Sequence, residues 1–335
     1  MSPDVAAAIR ARLLEEAKNK REEFERTLAR FAAERLLYRL GASAARNRCL
    51  LKGASLLAAW LPDPYRATRD VDVLAAGAAD DAAVRSLVAE ICAVPCPQDG
   101  LRFDLSRLVV EIIRAEEKYS GKRARFRAFL GGARIAVQLD IGVGDAVPVA
   151  PEEIAYPTML PTLPAPLLRA YSRDLAVAEK LESMVKLDTR NSRMKDFHDV
   201  WALAGAFAFD GAKLRRAVSA CFERRGTIWT DAEPRALTPS FYRAPELATR
   251  WRSYCAAGAV LKPPPVRFED VGERIIQFLA PVRRAIVGDG GQASAGTWPP
   301  GGPWPQSGGD QDSAVQDSGT GNDRERGSRP HKRKQ

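Results

Sequence analysis

Between residues 5 and 40 the apolar positions recur every three or four residues: Leu13, Leu14, Ala17, Phe24, Leu28, Phe31, Leu36 and Leu37. Glu15, Lys18, Glu22, Glu23, Arg26 and Arg30 occupy the other sides, so the pattern predicts a helical layer on a core, stopping near Gly41. Cys49-Leu50-Leu51 reads as a short buried strand, and Ser55 starts a helix through Trp60. At Asp70 the period changes to two: Asp70 and Asp72 point to one face of a strand, Val71 and Val73 to the other. A helix is predicted over 80–92 and strands over 108–114 and 124–130, with arginines at alternate positions in the second. Gly131-Gly132 signals a hairpin. In the strand that follows, Ile135, Val137, Leu139 and Ile141 share one face, Gln138 and Asp140 the other. Prolines at 148, 151, 157, 161, 164 and 166 predict an extended crossing between lobes over 146–171. A helix is expected over 173–187, and mostly helix over 207–286.

These elements predict an α/β core over residues 1–160 with an N-terminal helical layer, then a mostly helical lobe over 161–287. Residues 288–335 are rich in Gly, Pro, Ser and Asp, with almost no large aliphatic side chains. Such a stretch cannot bury enough apolar surface to offset its chain entropy and is expected to be disordered.

Composition narrows the chemistry. The formal charge is +9 over 335 residues, a balance that favours polyanionic partners such as nucleic acid or nucleotides. Two histidines are too few, or too poorly placed, for zinc hydrolase centres or Ser-His-Asp triads. Five cysteines without a repeated spacing make no disulfide framework, and Cys92 and Cys96 lack a second ligand pair for zinc. Reduced thiols, no signal-peptide apolar region and no apolar run of about 18 residues are consistent with a cytoplasmic protein.

Two carboxylates held side by side on a strand suit a hard divalent cation, Mg²⁺ above all; a pair of solvated acids on an edge strand is the alternative. Lys52, Gly53 and Ser55 upstream form a strand–glycine turn–helix start, an arrangement that binds anions through backbone N–H groups. Thr68 and Arg69 lie directly before the acidic strand. If the Asp140 strand neighbours that of Asp70 and Asp72, three carboxylates converge. That is an arrangement for aligning a hydroxyl with a nucleoside triphosphate. Asp196 and Asp199 share one side of a helix, and His198 reads as a packed or exposed helix residue. Between 212 and 252 nine Arg/Lys stand against four Asp/Glu, with Phe222, Trp229, Phe241, Tyr242 and Trp251 interspersed. Exposed, these aromatics would suit RNA stacking; buried, they would form a core.

Leu51-Lys52-Gly53-Ala54-Ser55, followed by Arg66-Ala67-Thr68-Arg69-Asp70-Val71-Asp72, resembles the first motif of the AbiEii/AbiGii abortive-infection toxin nucleotidyltransferases, whose members usually carry a second glycine where this chain has Ala54. The strand ending at Asp140, the run Ala178-Glu179-Lys180-Leu181 and the run Arg193-Met194-Lys195-Asp196-Phe197-His198-Asp199 extend the resemblance over roughly residues 5–205. The resemblance implies a polymerase-β-like nucleotidyltransferase core, a mixed sheet with helices followed by a helical lobe. It implies Mg²⁺ on Asp70, Asp72 and Asp140, and a catalytic set of these three with Lys180 and Asp196. Lys52, Gly53, Ser55, Arg69, Lys180 and Lys195 would bind the nucleotide. The implied reaction moves a nucleoside monophosphate from an NTP to an acceptor hydroxyl, a tRNA 3′ end. The protein would be a growth-arresting toxin of phage defence, with a cognate antitoxin. A metal-dependent ribonuclease and a non-catalytic nucleotide- or RNA-binding module remain the alternatives.

Overall fold

A computed structural model describes residues 3–61, 70–77, 80–113, 121–144, 147, 150–230, 232–257, 264–288 and 296–305. The N-terminal amphipathic run forms two helices, α1 (Pro3–Asn19) and α2 (Phe24–Ala42), where its period predicts one. Arg21, at φ 52°, reverses the chain between them. Ile9 and Leu13 thereby join Leu28 and Phe31 in one apolar cluster. The period hides this turn because both halves carry apolar residues at helical spacing.

The chain then makes β1 (Cys49–Lys52), α3 (Ser55–Trp60), β2 (Val71–Ala75) and α4 (Asp81–Ala93). Asp80 caps α4, its side chain accepting from the Ala83 N–H at 2.7 Å. Next come β3 (Leu101–Ile113), β4 (Gly121–Leu130) and β5 (Ala133–Gly142). β3 begins seven residues before the predicted strand, because an irregularity between Asp104 and Val109 interrupts its period-two pattern.

The proline-rich stretch is not a crossing between lobes. It returns to the sheet as β6 (Glu152–Ala155) and β7 (Leu167–Ala170), so the helical part of the chain starts after 170 rather than at 161. Its described prolines, at 151, 157, 161, 164 and 166, stand outside both strands, where no ladder N–H is lost. The seven strands lie in the order β3-β4-β5-β2-β1-β7-β6. The β2–β5 and β1–β7 pairs are parallel and the others antiparallel, giving the expected mixed sheet.

The helical part comprises α5 (Arg173–Leu187), α6 (Met194–Ala206), β8 (Phe209–Asp210), α7 (Gly211–Arg225), α8 (Pro239–Tyr242), α9 (Pro245–Ala256), α10 (Phe268–Val287) and β9 (Thr297–Trp298). Two apolar cores result. One lies between the sheet and α1, α2 and α4; the other is enclosed by the helices after residue 173. α3 and α5 serve both: Leu56 and Leu175 belong to the first core, Leu57 and Val177 to the second. Phe222, Phe241, Tyr242 and Trp251 are buried, and Trp229 stacks on Phe222 at 4.0 Å. The aromatics of the basic stretch 212–252 are therefore core, not a stacking surface for RNA.

Disorder from 288 onward does not hold for residues 296–305. β9 pairs with β8, and Trp298 and Trp304 bury their rings against Phe278. Their indole N–H groups donate to the carbonyls of Ala204 (2.8 Å) and Phe278 (2.9 Å). Two tryptophans supply the apolar area that the surrounding glycines and prolines lack. The end of the tail, with Arg329 to Lys334, lies outside the described residues. Trp298→Ala is expected to cost about 3–5 kcal/mol in urea unfolding; no change in the midpoint would mean that this segment is not packed in solution.

Candidate active site

Strand register assembles the site. Lys52 at the end of β1 stands opposite Asp72 on β2, and Asp72 lies beside Asp140 on the parallel neighbour β5. Arg123 on β4 is the cross-strand partner of Asp140. A single row thus runs cation, carboxylate, carboxylate, cation across four strands. Asp70, half-buried just before β2, adds a further negative charge.

Cross-strand neighbours bring like charges into close range. Burial, and then the adjacent Asp140, push the Asp72 carboxyl up to about 6, while Lys52 and Lys195 pull it down. Asp140 is held from the other side: Arg123 Nε donates to Oδ1 at 2.8 Å and Nη2 to Oδ2 at 2.7 Å. This two-point fork engages both carboxylate oxygens.

Gly53 follows Lys52 at φ +69°, and a Cβ there would lie 2.2 Å from Asp72 Oδ2. The backbone turn closes directly onto the carboxylate, and only glycine fits. Ser55 is buried, and its hydroxyl donates to the Asp70 carbonyl at 3.3 Å. It anchors the backbone at Asp70, and neither Ser55 nor Asp70 lines the cleft described below. Arg69 and Thr68 lie outside the described residues.

The opposite wall comes from α5 and α6. Lys180 Nζ donates to Asp199 Oδ2 at 2.6 Å and Asp196 Oδ1 at 3.1 Å; Arg193 Nε reaches Asp196 Oδ2 at 2.7 Å. Asp196 and Asp199 are 1% and 0% exposed. Burial of two carboxylates is sustainable only with such partners. The i,i+3 spacing seen in the sequence thus serves to grip Lys180. His198 is a core residue, its Nδ1 2.8 Å from the Tyr254 hydroxyl.

The two walls are linked. Lys52 Nζ lies 3.2 Å from Glu179 Oε1 and over the Tyr171 ring at 5.4 Å. Arg225, from α7, bonds both Glu179 (2.8 Å) and the buried Glu182 (2.9 Å), which also accepts from Thr227. Glu182 and Arg225, and the ion pairs of the motif residue Glu179, escape a sequence reading because the partners lie 43 to 127 residues away. Arg123 had a signal, its place in the alternating arginines before Asp140.

Between the walls lies a cleft of about 490 Å³. Lys52, Gly53, Asp72, Asp140, Lys180, Lys195 and Asp196 all line it, with Lys186, Arg190, Arg193 and Arg225 adding positive charge. Among the described residues no three His, Cys, Asp or Glu side chains already stand as a cation cluster. The donors nonetheless fit a hard divalent cation. They are carboxylate oxygens on adjacent strands, and burial first and the neighbouring Asp140 second disfavour the charged form of Asp72, a cost that a bound cation would offset.

A family model described as the nucleotidyl transferase AbiEii toxin of type IV toxin–antitoxin systems matches residues 35–275. No curated protein matches the chain. The crystal structure of JHP933 from Helicobacter pylori aligns with a TM-score of 0.44 and 11% identity, over 75% of this chain and 89% of that one. A second H. pylori structure, of a protein named only provisionally as a nucleotidyltransferase, aligns with a TM-score of 0.42 and 12% identity, over 75% and 92%.

Because the Asp72 carboxyl is raised on folding, its ionisation opposes folding. The contribution of Asp72 to the stability of metal-free protein falls as pH rises from about 4 to about 6 and stays reduced above. Asp72→Asn removes that penalty. In chelator-treated protein it is expected to be more stable than wild type by ~1–3 kcal/mol at pH 8, with the difference vanishing near pH 4. Thermal unfolding across pH checks this, and a difference of opposite sign at pH 8 would refute it.

Proposed function

The chain belongs to the AbiEii nucleotidyltransferase toxin family of type IV toxin–antitoxin systems, and on that premise we propose that it transfers a nucleoside monophosphate from an NTP to a hydroxyl at an RNA 3′ end, a tRNA in the first instance. The acceptor oxygen attacks the α-phosphorus, the bond from that phosphorus to the β-bridging oxygen breaks, and pyrophosphate leaves. The observation that carries the reading is the pairing of two walls around one cleft. One presents adjacent carboxylates, the other a lysine gripped by two buried acids.

In this reading Asp70, Asp72 and Asp140 would hold a divalent cation, which when bound would supply charge neutralisation at the triphosphate and lower the proton affinity of the acceptor hydroxyl. Asp140 also takes up the hydroxyl proton. Lys180 meets the β- and γ-phosphate oxygens as charge builds on the leaving pyrophosphate, and Asp196 and Asp199 hold it in place. Lys52 and Lys195 add charge at the triphosphate. Gly53 lets the nucleotide approach the backbone, and Ser55 acts by fixing the Asp70 carbonyl. The growth arrest that such a modified tRNA pool causes fits a toxin restrained by an antitoxin and released in phage defence. No helix among the described residues is long and apolar enough to cross a membrane, and the reaction is assigned to the cytoplasm.

Incubation with Mg²⁺, each α-labelled NTP in turn and total bacterial tRNA is expected to put label into RNA with wild type and not with Asp70→Ala/Asp72→Ala. Label on protein would move the acceptor. Shortened RNA without NTP would favour a ribonuclease. Equal growth inhibition by wild type and the double variant would make the fold a binding module. Gly53→Ala drives a methyl group into the Asp72 carboxylate. It is expected to lower kcat/KM about 100-fold while the protein still folds; wild-type transfer by this variant would mean that the turn does not position the carboxylate.

A further inference from the structure

The acceptor must leave the cleft as a polymer, and among the described residues the cleft is bordered by two basic surfaces: a groove with Arg193, Lys195 and Arg250 on the helical side, and the open face of the sheet. Past Asp140 the side of the sheet that faces the cleft continues over β5, β4 and β3. On β4, Arg123, Arg125 and Arg127 alternate with the buried Ala124, Phe126 and Ala128. Two residues of strand advance ~7 Å, so the arginines step away from the carboxylates at regular intervals. On β5 the same face carries Asp140, Gln138, Ala136 and Arg134, opposite Arg123, Arg125, Arg127 and Phe129 in turn. On β3, Arg102 pairs with Phe129 and lies over its ring at 4.7 Å.

Arg123 and Arg125 are engaged by Asp140 and Glu111. Arg127 and Arg134 are exposed; Arg127 stands opposite Asp104 on β3, whose carboxyl is held below its usual range chiefly by Ser106 and in smaller part by Arg102 and Arg127, so arginines still outnumber acids on this face. Val109, 48% exposed, lies opposite Arg125. Cations in a row, an apolar residue and an arginine-covered aromatic ring match what a single strand offers, phosphates at regular spacing and flat bases. On the helical side most aromatics are core, and the basic groove of Arg193, Lys195 and Arg250 carries one half-buried ring, Tyr254, in place of a row of arginines at strand spacing.

We infer that the open face of β3, β4 and β5, with Arg102, Arg127 and Arg134 as its cationic contacts, is the track along which the single-stranded 3′ end of the RNA acceptor lies on its way to Asp140. The inference rests on the transferase reading with an RNA acceptor. It places the RNA on the sheet and leaves the basic helical surface, with Arg216, Arg243 and Arg252, without a part in binding.

Anisotropy of a fluorescein-labelled tRNA transcript, measured at several salt concentrations without NTP, tests it. Arg102→Ala/Arg127→Ala/Arg134→Ala is expected to weaken binding roughly tenfold or more and to flatten the log–log salt slope by about two, as for three lost contacts to a single strand. Lysines at the same three positions are expected to restore both, and binding of a fluorescent NTP analogue stays unchanged. Arg216→Ala/Arg243→Ala/Arg252→Ala is expected to bind tRNA as wild type does. If the sheet variant binds tRNA like wild type, or the helical variant loses it, the track is overturned while the transferase reading stands. If wild type binds no tRNA and labels protein instead, the RNA acceptor falls and the track with it. If the sheet variant keeps tRNA but loses its response to the cognate antitoxin protein, the face belongs to a protein and the inference is wrong.

Discussion

Two carboxylates on adjacent parallel strands repel each other, and the rest of the site is arranged around that repulsion. Asp72 and Asp140 occupy neighbouring positions in the middle of the sheet. Lys52 flanks them on one side and Arg123 on the other. Partial burial strengthens both the repulsion and its compensation, because the effective dielectric is low. Parallel pairing requires a long connection between the strands; here the β3–β4 hairpin lies between β2 and β5 and carries Arg123 to the far side of Asp140. The same connection that permits the carboxylate pair supplies its counter-charge.

The second wall obeys a similar rule with the signs exchanged. Asp196 and Asp199 are fully buried on α6, and Lys180 and Arg193 balance them. Lys180 is therefore not a mobile surface lysine. It is held at two points and bordered by the cleft. Through Glu179, Lys52 of the sheet is tied to α5 and onward to Arg225 of α7. Motion of the helices relative to the sheet would strain these ion pairs, so the geometry of the cleft depends on both apolar cores. The tryptophans after α10 contribute at a distance, by closing the second core against α6 and α10.

Much of this was legible in the chain. Period-two alternation placed Asp72 and Asp140 on polar strand faces, whereas Asp70, expected on the same strand face, precedes β2 and does not line the cleft; the motif resemblance named Lys180 and Asp196, which do line it. What was not legible had physical causes. The α1–α2 reversal is masked because apolar spacing is the same on both sides of it. β6 and β7 are short and bracketed by prolines, a pattern shared with any extended linker. The fate of the aromatics between 222 and 251 depends on which side of a helix meets α10, and local sequence does not contain that. Ser55 is next to a glycine turn, yet its hydroxyl donates to the Asp70 carbonyl, a partner 15 residues on that the local motif does not contain.

By itself, then, the sequence determined the element types, the faces on which acids and apolar residues fall, and the family. Each follows from local periodicity and from motifs a few residues long. The tertiary structure alone decided that Asp72 and Asp140 are neighbours, that Arg123 holds Asp140, that Asp199 grips Lys180 and that Glu179 joins the two walls. Those contacts join residues up to 127 positions apart. Charge pairing at such separations is set by strand order and helix packing, which bring distant side chains within a few ångströms and which no local pattern encodes.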